Sequence, residues 1–270
     1  MMRENKLKNT IAAGMPAIGA IMQINSPELI EIAGAAGFDY VIIDCEHGSF
    51  YLESLVDLIR AADAIGITPL VRTPNHDPSF IMRALDAGAL GIVAPNISSA
   101  QQAKAVIAAA RYKVGGNGGT RGACPGTRAS WHQADDWLKY ATYSNENILV
   151  WALIENEDGV KNIASIVSLD GLDGVMLGPF DLAHDLGFLG QVSHPDVIEA
   201  FSKVIESAKE HQLHVIASLF SSNSASMTQE RNHWIAKGIT IFSIGSDRRL
   251  IINAMKDRVK IFTSNSQFTL

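Results

Sequence analysis

Ionisable residues recur directly behind short apolar runs in this 270-residue chain. Ile42-Ile43 leads into Asp44-Cys45-Glu46-His47-Gly48, Val71 into Arg72, Ile154 into Glu155, and Leu177 into Gly178-Pro179-Phe180-Asp181. A carboxylate close to an imidazole can orient it for proton transfer, which makes Asp44 and His47 candidates for general acid–base work. The alternative for His47 is a purely structural histidine. Arg72 offers a fixed cation for a developing enolate oxygen. It is equally suited to a salt bridge with Asp44 or Glu46, and the two roles are compatible.

Glu155 and Asp181 follow consecutive apolar runs, and neighbouring strands lie about 4.8 Å apart. Two carboxylates brought that close cannot both stay ionised unless one is protonated or a cation sits between them. A hard divalent ion with oxygen ligands resolves the conflict and keeps positions open for a bidentate 2-oxo acid. Two solvated acids capping the following helices are the competing reading. The Gly178–Leu182 segment can turn backbone N–H groups toward an anion, although a Gly-Pro turn needs no ligand. His76, His184, His194, His211, His214 and His233 show no metal-binding spacing.

These groups need elements to hold them on one rim. Eight apolar runs recur: Ala17–Met22, Tyr40–Ile43, Thr68–Val71, Gly91–Ala94, Ile148–Ile154, Gly174–Leu177, His214–Ala217 and Thr240–Ile244. Each is apolar on consecutive positions, as strands buried on both faces of a parallel sheet are. Between them, Ser26-Pro27, Asp77-Pro78 and Ser98-Ser99 open helices, and Gly37, Gly66, Gly88 and Gly238 close them. The alternation predicts a single-domain (β/α)8 TIM barrel over residues 1–270, with chemistry at the carboxyl ends of its strands. By that rule Gln23, Ser218 and Gly245-Ser246-Asp247 also reach the reactive rim.

One connection, 95–147, is an unusually long insertion after the fourth strand. Its Gly115–Gly122 segment lacks the Lys-Ser/Thr of a P-loop and the dinucleotide fingerprint, so a flexible lid over the active face is expected, with Arg121 on it. Ser246–Phe262 reads as a terminal helix and 263–270 as a disordered tail.

Composition narrows the function. With 28 acidic against 22 basic residues, interspersed, the net charge of −6 leaves no footprint for nucleic acid or anionic lipid. Cys45 and Cys124 have no CxxC spacing, which points to a reducing, cytoplasmic compartment. No signal peptide and no run of about 18 apolar residues is found. The expected partners are small molecules and copies of the chain itself.

Taken together, these motifs resemble the HpcH/HpaI family of class II, metal-dependent 2-oxo acid aldolases. The likeness runs from Ile18-Gly19 to Gly245-Ser246-Asp247, through Gln23–Glu28, Asp44–Gly48, Val71-Arg72, Asp86–Ala89, Arg121-Gly122, Ile154-Glu155 and Gly178–Leu182. The resemblance implies that Glu155 and Asp181 bind Mg2+, Mn2+ or Co2+, which chelates the carboxylate and ketone of pyruvate. It further implies that His47 with Asp44 handles protons, that Arg72 steadies the enolate oxygen, and that Gln23, Leu153, Gly178, Pro179 and Phe180 line the substrate pocket. Many relatives have Gln at the position of Leu153 and Ala at that of Phe180, so a more apolar or narrower pocket is expected here. Relatives form homo-oligomers, dimers to hexamers, that exchange C-terminal helices, and a trimer belongs among the expected states. The implied reaction joins or cleaves a 2-oxo acid and an aldehyde as a 4-hydroxy-2-oxo acid. A CoA-thioester lyase would need a basic nucleotide-binding patch, which the sequence lacks. A catalytically silent metabolite-binding barrel would not need Asp44, His47, Arg72, Glu155 and Asp181 together.

Overall fold

A computed structural model describes residues 3–116, 118–221 and 223–264. Eight parallel strands close into one barrel in sequence order: β1 (Ala17–Met22), β2 (Tyr40–Asp44), β3 (Thr68–Arg72), β4 (Gly91–Ala94), β5 (Leu149–Ile154), β6 (Gly174–Leu177), β7 (His214–Ser218) and β8 (Ile241–Ser246). Helix α1 (Lys6–Ala12) precedes them. Between strands run α2 (Pro27–Ala35), α3 (Leu52–Ile65), α4 (Pro78–Ala87), α5 (Ala100–Ala110) and α6 (Trp137–Asn147). The remaining helices are α7 (Glu157–Lys161), α8 (Ile163–Val167), α9 (Pro179–Asp185), α10 (Pro195–Glu210), α11 (Ser224–Ala236) and α12 (Asp247–Ser264).

The expected caps are in place. Ser26 accepts the Leu29 N–H ahead of Pro27, Asp77 accepts the N–H groups of Ser79 and Phe80 ahead of Pro78, and Gly66 and Gly88 end α3 and α4 at φ 81° and 107°.

Alternation along the strands decides which side chains reach the barrel interior. Tyr40 and Ile42, Leu70, Val93, Leu149, Trp151 and Leu153, Met176, Ile216 and Ile241 form the inner core, whereas Val41, Ile43, Val71, Ile92, Val150 and Val175 pack outward under the helices. Tyr40 fits because Gly19 has no side chain in its path, and its hydroxyl donates to the Phe242 carbonyl at 2.9 Å. Two residues beyond Ile42, Leu70 and Leu153 come Asp44, Arg72 and Glu155. The same period that packs the core therefore lifts these three into the barrel mouth.

The other end is closed by α1, whose buried Leu7 and Ile11 join the inner core. Asn5 fixes this plug by donating to the carbonyls of Leu90 and Asn147, both at 2.8 Å.

The long connection corrects the expectation of a lid. Helix α5 carries the chain back along the barrel before the glycine-rich segment begins, so that segment lies at the end away from the carboxyl ends of the strands. There Arg121 donates to Asp86 at 2.6 Å, at the end of α4, and packs over the Tyr112 ring at 4.3 Å. Arg111 meets Gly171 and Asp173 just before β6. Residues 263 and 264 continue α12 rather than starting a tail, and 265–270 lie outside the described residues. Ser246, expected to open the last helix, ends β8 instead.

Candidate active site

At the carboxyl end of the strands, one cavity of about 210 Å³ is lined by Gln23, His47, Arg72, Leu153, Glu155 and the stretch Gly178 to Asp181. All the residues expected at the site line it except Asp44, which is fully buried one layer below.

Asp44 and Arg72 sit opposite each other in the β2–β3 register. The carboxylate accepts Arg72 Nε at 2.8 Å and Nη2 at 2.6 Å, a bidentate pair, and also Gln23 Nε2 at 2.9 Å. Although burial acts the other way, the hydrogen bonds and charge of Arg72 hold Asp44 below the usual carboxylate range. Arg72 Nη1 lies 3.2 Å from Glu46 Oε2, an ion pair whose orientation is not that of a hydrogen bond. Arg72 thus meets two acids of its own chain while its guanidinium still faces the cavity. The salt bridge leaves the guanidinium open to an anion.

His47 departs from expectation. Asp44 accepts the backbone N–H groups of Glu46 at 3.1 Å and of His47 at 3.2 Å, and among the described residues no hydrogen bond joins the His47 ring to Asp44. Asp44 therefore shapes the loop that presents the imidazole; it does not orient the ring directly. The ring is exposed at the cavity wall.

Glu155 is 3% exposed and accepts the Asn96 N–H at 2.7 Å. Asn96 holds φ 51°, an unfavourable value for a side-chain-bearing residue, and this turn aims its N–H at the carboxylate. From the other side Gly178 closes in: a Cβ there would stand 2.5 Å from Glu155 Cβ and 2.7 Å from Oε2. Burial, reinforced by the nearby charges of Glu46 and Asp181, pushes the Glu155 carboxyl up to about 8, with the Asn96 bond and Arg72 opposing. Asp181 reaches the cavity from the first turn of α9, three residues past the strand's end, and is exposed. With Asp44 and Glu46 committed to Arg72, Glu155 and Asp181 share the cavity, and among the described residues no cation bonds to either.

This is the donor set a hard divalent ion takes: carboxylate oxygens on a mouth that remains open for water and substrate. Among the described residues no group of three or more His, Cys, Asp or Glu forms a closed metal cage, so such an ion would keep open positions. Ser243 Oγ, buried on the cavity wall, has no hydrogen-bond partner among the described residues and can bond a polar ligand. The floor is apolar, with Leu153 1% and Met176 3% exposed, whereas Phe180 stands at the mouth at 59%. Burial pushes the Cys45 thiol up to about 12, which removes it as a nucleophile at neutral pH.

Sequence reasoning left out Ser243, Phe220 and Arg249, which also line the cavity. Ser243 was findable by stepping two residues along β8 from Ile241. Phe220 and Arg249 lie beyond strand ends, where no periodicity applies. Asp247 is 4% exposed and positions the rim, accepting the N–H groups of Gln23 at 3.0 Å and Ile24 at 2.8 Å.

Known proteins align with this arrangement. The pattern of the HpcH/HpaI aldolase/citrate lyase family matches residues 18–254. The 5-keto-4-deoxy-D-glucarate aldolase of Klebsiella pneumoniae is 33% identical over 247 residues, covering 90% of this chain and 91% of its own. An HpcH/HpaI aldolase from Desulfitobacterium hafniense superposes with TM-score 0.89 at 28% identity, over 98% of this chain and 99% of its own. The citrate synthase SbnG superposes with TM-score 0.85 at 29% identity, over 96% and 97%.

Proposed function

Since the chain belongs to the HpcH/HpaI aldolase/citrate lyase family, we propose that it is a divalent-metal-dependent aldolase that cleaves or forms a 4-hydroxy-2-oxo acid through a pyruvate enolate. One observation carries this reading: Glu155 and Asp181 share a cavity with Arg72 and His47 while, among the described residues, no cation bonds to either acid. The aldolase names of the curated relatives support it.

Glu155 and Asp181 would hold Mg2+, Mn2+ or Co2+. Bound there, the ion supplies Lewis acidity that lowers the cost of an enolate. The chain's own groups do the rest. In cleavage His47 takes the proton of the C4 hydroxyl, the C3–C4 bond breaks, and its electron pair passes to C3 and the C2 oxygen as the aldehyde leaves. Arg72, fixed on two sides by Asp44 and Glu46, donates to that oxygen as charge develops, so little reorganisation is needed. Protonation at C3 completes pyruvate. The apolar floor of Leu153 and Met176 limits water around the enolate.

Pyruvate C3-proton exchange in D2O tests the reading. Exchange is expected with Mg2+ or Mn2+ and abolished by EDTA; metal-independent exchange, or none with any divalent ion, overturns it. Glu155→Ala and Asp181→Ala are each expected to lose metal binding and exchange.

The assembly we propose is a homo-oligomer that exchanges α12. In its own chain α12 contacts β1 and β8 and leaves Ile252, Met255 and Val259 exposed. No described helix is long and apolar enough to cross a membrane.

A further inference from the structure

The amino end of the barrel carries a buried cluster of arginines that carbon–carbon chemistry does not use. Arg3 and Arg128 share the Asp63 carboxylate, and Arg121 holds Asp86 at 2.6 Å. Three guanidinium groups thus meet two carboxylates, largely withdrawn from water: the Arg121 side chain is 1% exposed, that of Arg3 7% and that of Arg128 11%. Burial pushes the Arg3 guanidinium below its ordinary value; Asp63 opposes this and Arg128 adds to it.

The ion pairs leave donors over. Arg121 gives Nη2 to Asp86 and Nη1 to Ser144 Oγ at 3.4 Å, but among the described residues neither its Nε nor Arg3 Nη1 has a hydrogen-bond partner. Both side chains line one small cavity of about 20 Å³, walled also by Gly88, Tyr140 and Ser144. The position of Arg3 is fixed, because its carbonyl accepts the Tyr143 hydroxyl at 2.9 Å and Asn147 Nδ2 at 2.7 Å. Gly88 clears the space: a Cβ there would run into Arg3 Nη1 and stand 2.6 Å from Arg128 Nη1. A cavity of this size takes one particle about as large as a water molecule. Water could accept the two N–H groups, but it would leave the third positive charge uncompensated in a poorly solvating place. A monatomic anion answers both demands, whereas phosphate, sulfate and carboxylates are too large.

We propose that this cavity is a structural anion site that holds a single halide ion, chloride or bromide, between Arg3 and Arg121. The ion fastens the segment ahead of α1, the helix that plugs the barrel, to the segment that follows α5. The site lies at the end of the barrel opposite the Glu155–Asp181 cavity, and it rests on neither the metal nor the aldolase reading.

The test is the chloride NMR line width of the full chain, first dialysed into sodium gluconate with EDTA, together with thermal unfolding as chloride replaces gluconate at constant ionic strength. Wild type is expected to broaden the chloride resonance, bromide to reverse the broadening, and the unfolding midpoint to rise by roughly 2–4 °C and saturate. Arg3→Met and Arg121→Met are each expected to weaken chloride binding about tenfold, as loss of one charge-assisted hydrogen bond does, and Arg3→Lys to keep part of it. Arg3 precedes the first helix, so its variants decide the matter even if Arg121→Met does not fold. Absence of bromide-reversible broadening in wild type means water alone in the cavity and overturns the proposal. So does broadening that persists at full strength in Arg3→Met, which would place the ion elsewhere.

Discussion

At the scale of single residues, the site is governed by which acids have a cation and which do not. Asp44 and Arg72 form a buried pair that neither partner can leave alone, because an isolated charge at that depth is poorly solvated. Asp44→Ala is therefore expected to destabilise the fold by about 3 kcal/mol, read from denaturant unfolding, and to cost activity through displacement of Arg72. Asp44→Asn should retain more stability. Glu155 presents the opposite case. An unfolded glutamate releases its proton near 4.5, whereas Glu155 in the fold holds its proton up to about 8. Between those values the folded protein binds more protons than the unfolded chain, so the contribution of Glu155 to stability falls as pH rises through that window. In EDTA, wild-type stability is expected to decline from pH 5 to 8 more steeply than that of Glu155→Gln. A divalent ion should flatten the wild-type profile only; parallel profiles in EDTA would dismiss Glu155 as the source.

At the scale of elements, strand alternation does most of the positioning. The inner residues Ile42, Leu70 and Leu153 and the candidate site residues Asp44, Arg72 and Glu155 continue the same faces of β2, β3 and β5, Glu155 one residue past the end of its strand. Asn96 contributes from the turn after β4, where its strained backbone delivers an N–H to Glu155. Glycine tolerates that conformation without cost, so Asn96→Gly is expected to preserve activity and change stability by no more than about 1 kcal/mol in the favourable direction; a large loss of activity would assign the Asn96 side chain a role of its own. Helix α1 works from the far end of the barrel. Leu7 is fully buried inside the inner core, and Leu7→Ala is expected to cost about 2–5 kcal/mol in unfolding experiments with little change in metal affinity.

At the scale of the whole molecule, chain direction separates the two ends of the barrel. Helix α5 returns the chain from the end of β4 to the amino ends of the strands, so the glycine-rich segment after it cannot cover the site. The arginines there serve cohesion: Arg128 joins the Asp63 carboxylate and bonds the Ala87 carbonyl at 2.9 Å, while Arg121 holds Asp86. The proposed exchange of helix α12 between copies of the chain belongs to this scale. Truncation after Arg249 is expected to lower the mass measured by light scattering to that of a monomer or smaller oligomer; an unchanged mass would exclude α12 as the connecting element.

Composition, run length and cap residues were enough to place eight buried strands and their intervening helices, because burial of apolar runs and satisfaction of helix ends are local demands. The acids, histidine and arginine behind those runs were legible for the same reason: a parallel barrel delivers every strand end to one rim. Local rules did not reach the partners across the barrel. That Asp44 would hold Arg72 and Gln23 rather than the His47 ring, that Glu155 would meet an N–H from the Asn96 turn, and that Arg249 would join the cavity lining depend on register, closure and the path of α12. Those are distances between segments far apart in the chain, and they exist only once the barrel has closed.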